Sequence, residues 1–215
     1  MYQSFSPFRV RFLLAILAGD GDAACRVVDA LADEGMDEDA TAITVIRPAL
    51  YEVGVRWANH EITVGDEHIA SATAAIAIEH LASGAGPPPE GDQAPLAIVT
   101  CVEGEQHCLG ARVFAAALGR RGWLTLYCGA STPVGDVVSL ARTRAPRVVA
   151  LSVARREQLA PAARTATRLR ELERAPVVVA GGQAYRRRED CPDADLVHVG
   201  PDFRTLAGGL RESLR

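Results

Sequence analysis

The stretch "PLAIVTCVEGEQHCLGARVF" (95–114) decides how this chain is read. It opens as a continuous apolar run over 95–101. It then turns into a polar loop carrying Glu103, Gly104, Glu105, His107, Cys108 and Gly110, and a helical pattern begins near Leu109. An apolar run without alternation reads as a strand covered on both faces. The loop leaving such a strand is where α/β sheets hold their ligands. On residue type alone His107 is open to three roles: general base, metal ligand, or bystander. Glu105 can accept the proton of one ring nitrogen and leave the other as a better donor to a metal. Gly110 lets the backbone approach a large group. No GxGxxG pattern marks a phosphate loop, and no further ligands lie nearby in sequence to suggest zinc.

The same pattern repeats downstream. "WLTLYCG" (123–129), "RVVALSV" (147–153), "PVVVAGG" (176–182) and the shorter "ADLVHVG" (194–200) read as strands. Helical spans at about 109–121, 134–144 and 158–173 alternate with them, and a last helix follows. Alternation of this kind predicts a five-stranded parallel sheet with helices on both faces, flavodoxin-like (Rossmann-like), over 95–215.

Upstream, "SGAGPPPEGDQAP" (83–95) clusters Gly and Pro, which hold neither a helix nor an inner strand. It predicts a linker over 84–94. Residues 1–83 carry helical spacing instead. Phe8, Phe12, Leu13, Ile16 and Leu17 share one face. "GDGD" (19–22) then offers Asp20 or Asp22 as a cap for a helix through "AACRVVDALADEG" (23–35). A third helix is expected at about 40–59, with Pro48 either kinking it or marking its true start. A fourth is expected at about 66–82. The fold class is thus α + α/β: an N-terminal four-helix bundle followed by the sheet domain.

Composition narrows the function. The 215 residues are 48% apolar, with a net charge of −4, so a substantial core is available. Every basic residue is arginine, and the arginines alternate with acids, as in "RELER" (170–174). No basic stripe suggests nucleic acid. Cys25, Cys101, Cys108, Cys128 and Cys191 show no CxxC spacing and read as reduced thiols of a cytoplasmic protein. "FLLAILAG" (12–19) is too short to span a bilayer.

The order Glu105-x-His107-x-x-Gly110 resembles the cobalamin-binding signature, in which the histidine becomes the lower axial ligand of cobalt. Its other elements follow in order. Ser152 ends the third strand, Gly181 and Gly182 follow the fourth, and "GASTPVGDVV" (129–138), with Ser131 and Thr132, resembles the loop after strand two in sensory members. Two positions depart from the pattern. Glu105 replaces the commoner aspartate, and Ala154 stands where leucine is usual. By itself a double glycine is an ordinary tight turn. In the family, Ser152, Gly181 and Gly182 would make a slot for the nucleotide tail pulled off the cobalt.

In the helical half, "LYEVGVRWANHEITVGDEHIAS" (50–71) resembles CarH-type light sensors that bind adenosylcobalamin. The resemblance places Trp57, Glu67 and His68 against the upper face of the corrin. Taken alone, Trp57 fits a core residue and Glu67–His68 a polar helix start. It implies a stand-alone cobalamin photoreceptor, not itself an enzyme, working through a homo-oligomer or a signalling partner. Direct DNA binding and membrane binding are not expected. Photocobilins, a subgroup, also bind a bilin such as biliverdin, and the layout resembles theirs. The neighbour of Trp57 is Ala58, not the histidine that takes the upper axial position in some members, and neither His60 nor His68 matches that place. The alternatives are a corrinoid methyl carrier of a methyltransferase system and a non-photochemical cobalamin-binding module.

Overall fold

The computed structural model describes residues 6–83, 94–191, 193–200 and 202–212. Two compact units form, Met1–Ala85 and Gly86–Arg215. The expected linker lies, except for residue 94, outside the described residues.

The first unit is helical. Helix α1 (Ser6–Leu17) and helix α2 (Gly21–Asp33) are joined by a turn in which Asp20 accepts the Ala23 amide at 2.8 Å. The cap is therefore Asp20 of the two candidates. The third rod runs without a break through α3 (Glu38–Thr41), a π-helical stretch (Ala42–Ile46) and α4 (Arg47–Ala58). Pro48 explains the stretch. Its ring would strike a carbonyl one turn back, and it donates no amide hydrogen. The Arg47 amide bonds five residues back, to Ala42, and the helix continues past the proline. Pro48 thus stands in the first turn of α4, as a true start would place it, while the rod as a whole begins earlier, at Glu38.

Helix α5 (Val64–Ser83) starts on a capping box: Asp66 Oδ2 accepts the Thr63 amide at 2.9 Å, and Thr63 Oγ1 accepts the Asp66 amide at 3.2 Å. It packs on α1, α2 and α4 through small buried residues, Ala70, Ala74 and Ala77. Phe12, Ile16, Leu31, Ile46 and Ile78 fill the core between the rods, each stabilising by about 1.5–3 kcal/mol relative to exposure.

The second unit follows the expected alternation: β1 (Leu96–Cys101), α6 (Leu109–Arg120), β2 (Leu124–Tyr127), α7 (Val134–Arg144), β3 (Val148–Ser152), α8 (Leu159–Arg170), β4 (Val177–Gly181), β5 (Leu196–Val197) and α9 (Arg204–Glu212). All pairings are parallel, in the order β2-β1-β3-β4-β5. β1, β3 and β4 are buried almost throughout, as their unbroken apolar runs require. One face of the sheet packs Ile98, Val149, Leu151, Val178 and Ala180 with α7 and α8. The other packs Ala97, Val99, Ala150 and Val179 with α6, α9 and the buried Trp123. No described helix is long and apolar enough to cross a membrane.

Candidate functional site

In this strand order the chain reverses direction between β1 and β3, so a crevice opens beyond their carboxyl ends. The opening loop lies there. Past β1, Val102 pairs with Thr132, and Gly104 turns the chain at φ +83°. That turn sends the Glu105 side chain inward, where it is 0% exposed, and leaves the His107 side chain 61% exposed.

The Glu105 carboxylate spans the crevice. Its Oε1 accepts the His107 amide at 2.8 Å and His107 Nδ1 at 2.6 Å. Its Oε2 accepts the amides of Ala154 at 2.8 Å and Arg155 at 3.0 Å, on the loop after β3. Burial is the largest influence on its acidity and opposes ionisation. The donors from His107, Arg155 and Ala154 outweigh it and hold the carboxyl below its ordinary range. An ionised Glu105 accepts a hydrogen bond from Nδ1–H of His107, the tautomer whose lone pair is on Nε2, at the far side of an exposed ring. That is the geometry of a metal-ligating imidazole with a carboxylate behind it. The longer glutamate side chain still meets the His107 ring at 2.6 Å. It also reaches the β3 loop.

Ser131 and Thr132 brace this loop. Ser131, at φ +49°, donates its amide to the Glu105 carbonyl at 2.9 Å, and its Oγ accepts the Gly104 amide at 3.0 Å. Thr132 Oγ1 accepts the Thr100 hydroxyl at 2.7 Å. Tyr127 donates its hydroxyl to the Cys108 carbonyl at 3.0 Å, and the Arg112 guanidinium lies over its ring. The Cys101 thiol is pushed up to about 12, first by burial and then by Cys108 and Glu105, so it stays protonated. The other four cysteines are also free thiols.

The strand ends supply the floor. Cys101 is in register with Ser152, and Ser152 with Gly181, so the three form a row on the α6/α9 face. A Cβ on Gly181 would meet only the His198 side chain, at 3.7 Å, and one on Gly110 would meet nothing within 4 Å. Gly182 is required by the fold itself. At φ +116° its Cβ would be driven into the Val153 backbone, 2.8 Å from the carbonyl carbon. The close crossing of two backbone segments there demands a glycine. His198 extends the row, its amide bonding the Ala180 carbonyl at 2.8 Å. Its Nε2 is buried with no hydrogen-bond partner among the described residues.

In the helical unit Trp57 lies in the last turn of α4 and is 48% exposed, so it is not a core residue. Glu67 lies in the first turn of α5. Its Oε2 meets His68 Nδ1 at 2.7 Å and its Oε1 accepts the Ser71 hydroxyl at 2.6 Å, while the His68 side chain is 73% exposed. His60 takes the left-handed turn after α4, at φ +60°, which closes that helix.

Sequence reasoning paired Glu105 with His107, and the structure brings these two side chains together. That reasoning missed the Ala154 and Arg155 amides, Tyr127 and His198. His198 had a signal, a lone histidine inside an apolar strand, but its place beside Gly181 depends on strand order.

One nitrogen of an exposed ring, a row of small residues on the sheet edge and an orphaned buried nitrogen fit a large group that brings its own metal. Among the described residues no three His, Cys, Asp or Glu side chains gather to hold an ion by themselves. The chain belongs to the B12 binding domain family: that family's model matches residues 95–208, and a second B12 binding domain model matches residues 9–82. The cofactor is therefore a cobalamin or a related corrinoid. No curated protein matches the chain in sequence.

Among solved structures the chain is similar to the monomethylamine corrinoid protein of Methanosarcina barkeri, with a TM-score of 0.77, 17% identity, and 95% of this chain and 96% of that one covered. It is also similar to the methanol:cobalamin methyltransferase complex of Methanosarcina barkeri (TM-score 0.52, 15% identity, 97% and 80% covered). A cobalamin-binding protein of Desulfitobacterium hafniense DCB-2 matches at TM-score 0.50 and 21% identity, with 94% and 98% covered. These likenesses show the shared fold of helical region and sheet domain.

Proposed function

We propose that this chain carries its corrinoid on His107 and uses it to sense the upper ligand of the cobalt. The observation that carries the first half is the Glu105–His107 pair: Nδ1 is held at 2.6 Å by a buried carboxylate and Nε2, at the far side of an exposed ring, is left as a ligand. Ser152 and Gly181 supply room for the nucleotide tail on the sheet edge.

The sensor reading is supported by Trp57, Glu67 and His68. An exposed tryptophan costs solvation unless something covers it, and the exposed imidazole of His68 is already oriented by Glu67. These residues would contact the upper ligand. When bound, adenosylcobalamin supplies a cobalt–carbon bond that light breaks. The output would then be a change of oligomer or of protein partner. Biliverdin as a second chromophore belongs to the same reading, and a red-absorbing band after co-expression with a biliverdin source tests it.

A second reading has its own support, and the comparisons favour it over the sensor. The similar structures are corrinoid proteins, one of them within a methyltransferase complex, and they align along nearly the whole chain. On this reading the chain is a methyl carrier that presents its corrinoid to a methyltransferase.

One experiment separates the two. The protein is loaded with adenosylcobalamin, and its absorbance and sedimentation are recorded before and after green light. The sensor predicts a spectral change together with a change of mass or of backbone protection in the helical unit. Photolysis without any response of the protein removes the sensor reading and leaves the carrier.

A further inference from the structure

Among the described residues several buried side-chain atoms have no hydrogen-bond partner, Trp123 Nε1 and Gln158 Oε1 among them, and His198 Nε2 is the one that stands beside the strand-end row of small residues. His198 follows β5 at the carboxyl edge of the sheet. Its amide continues the β4–β5 pairing by bonding Ala180, which sets its side chain beside Gly181 on the same face, 3.7 Å from where a Gly181 Cβ would stand. The edge row is thus Cys101, Ser152, Gly181, His198, running away from the His107 loop. The first three offer little bulk. The fourth offers an imidazole whose Nε2 is buried and has no hydrogen-bond partner among the described residues.

A buried ring nitrogen without a bond is unfavourable, so a ligand atom that satisfies it gains a hydrogen bond without first displacing one to water. Burial also lowers the pKa of the ring, against weaker opposing effects of Asp202 and the Gly200 backbone, so the ring is neutral and bonds as a polar group, not as a cation.

We propose that His198 is the residue that recognises the nucleotide tail of the corrinoid, its Nε2 hydrogen-bonding a polar atom of the tail laid along Ser152 and Gly181. This rests on the corrinoid reading of the site. His107 would hold the metal end, and His198 would select corrinoids that carry a tail over those that lack one.

The test compares two probes, aquocobalamin and diaquocobinamide, which lacks the tail. Dissociation constants are measured by absorbance titration for the wild type, His198→Phe and His198→Gln. Phe keeps the ring volume without the nitrogen, and Gln restores a polar atom. The expected result is about tenfold weaker cobalamin binding by His198→Phe, the effect of one lost hydrogen bond to a buried group, partial recovery in His198→Gln, and unchanged cobinamide binding in both. Unchanged cobinamide binding also certifies the fold. Cobalamin binding unaltered by His198→Phe, or weakened equally for both probes, overturns the proposal. Wild-type protein that takes up neither corrinoid overturns the corrinoid reading itself.

Discussion

Replacing Glu105 tests the joint between the His107 loop and the β3 loop. In Glu105→Ala four N–H groups lose their acceptor: the amides of His107, Ala154 and Arg155 and the ring of His107. An orphaned buried amide costs about 1–3 kcal/mol, and these loops reach the surface, so the low end of that range applies. The ring nitrogen is solvated at little cost because the imidazole is exposed. Three amides at about 1 kcal/mol each give about 3 kcal/mol, less whatever burial of the carboxylate itself had cost. The expected loss is about 2–3 kcal/mol. Glu105→Gln keeps one acceptor oxygen and turns an amide toward the other pair of donors, so about 1–2 kcal/mol is expected. The assay exploits the two tryptophans. In a Trp57→Phe background the buried Trp123 reports on the sheet unit alone, and urea unfolding followed by its fluorescence gives the difference directly. Hydrogen exchange at Ala154 and Arg155 should accelerate in step. A stability change below about 0.5 kcal/mol, with those two amides exchanging as in the wild type, would refute the reasoning.

Further expectations follow from the same geometry. Gly182→Ala should destabilise the sheet unit by more than about 2 kcal/mol, because its Cβ enters the Val153 backbone, whereas Gly181→Ala should cost under about 1 kcal/mol and act on corrinoid affinity instead; matched urea midpoints and titrations decide this. Asp20→Ala removes the α2 cap and should cost about 1 kcal/mol in thermal unfolding followed by helix dichroism. Asp202, held at about 2 by hydrogen bonds and charge from Arg204, has a folded pKa below its unfolded one. Its stabilisation is therefore present above about pH 4 and lost as pH falls toward 2. Asp202→Asn should lower stability at neutral pH by less than about 1 kcal/mol, the pair being half-exposed, with the difference closing in acid. Trp57→Ala should leave stability within about 0.5 kcal/mol, and on the sensor reading it should weaken adenosylcobalamin more than aquocobalamin.

The sheet domain was legible because its signals are local. Each strand is an unbroken apolar run, each helix has its period, and the order of elements leaves few parallel topologies. His107, Glu105 and Gly110 lie within six residues of one another, so their partnership could be read directly. What escaped depends on strand neighbours. Glu105 meets Ala154 and Arg155 across 49 and 50 residues, a contact made only because β1 lies beside β3. The division of labour between Gly181 and Gly182 is set by which way each would point a Cβ, which a paired glycine does not reveal. Pro48 announced an irregularity, but its outcome, a π-helical stretch ahead of the proline, depends on the surrounding rods keeping the helix in place. Trp57 could be core or surface by residue type, and its exposure was decided by packing.

The central claim is that His107 supplies the lower axial nitrogen. Protein grown with nitrogen-15 histidine, loaded with unlabelled cobalamin and reduced by one electron, gives an electron paramagnetic resonance spectrum in which the axial nitrogen splits the cobalt lines. A nitrogen-15 ligand gives doublets and a nitrogen-14 ligand gives triplets. The account predicts doublets in the labelled wild type and their loss in His107→Ala. Triplets in the labelled wild type would mean that the ligand is the cofactor's own base, and would contradict the account.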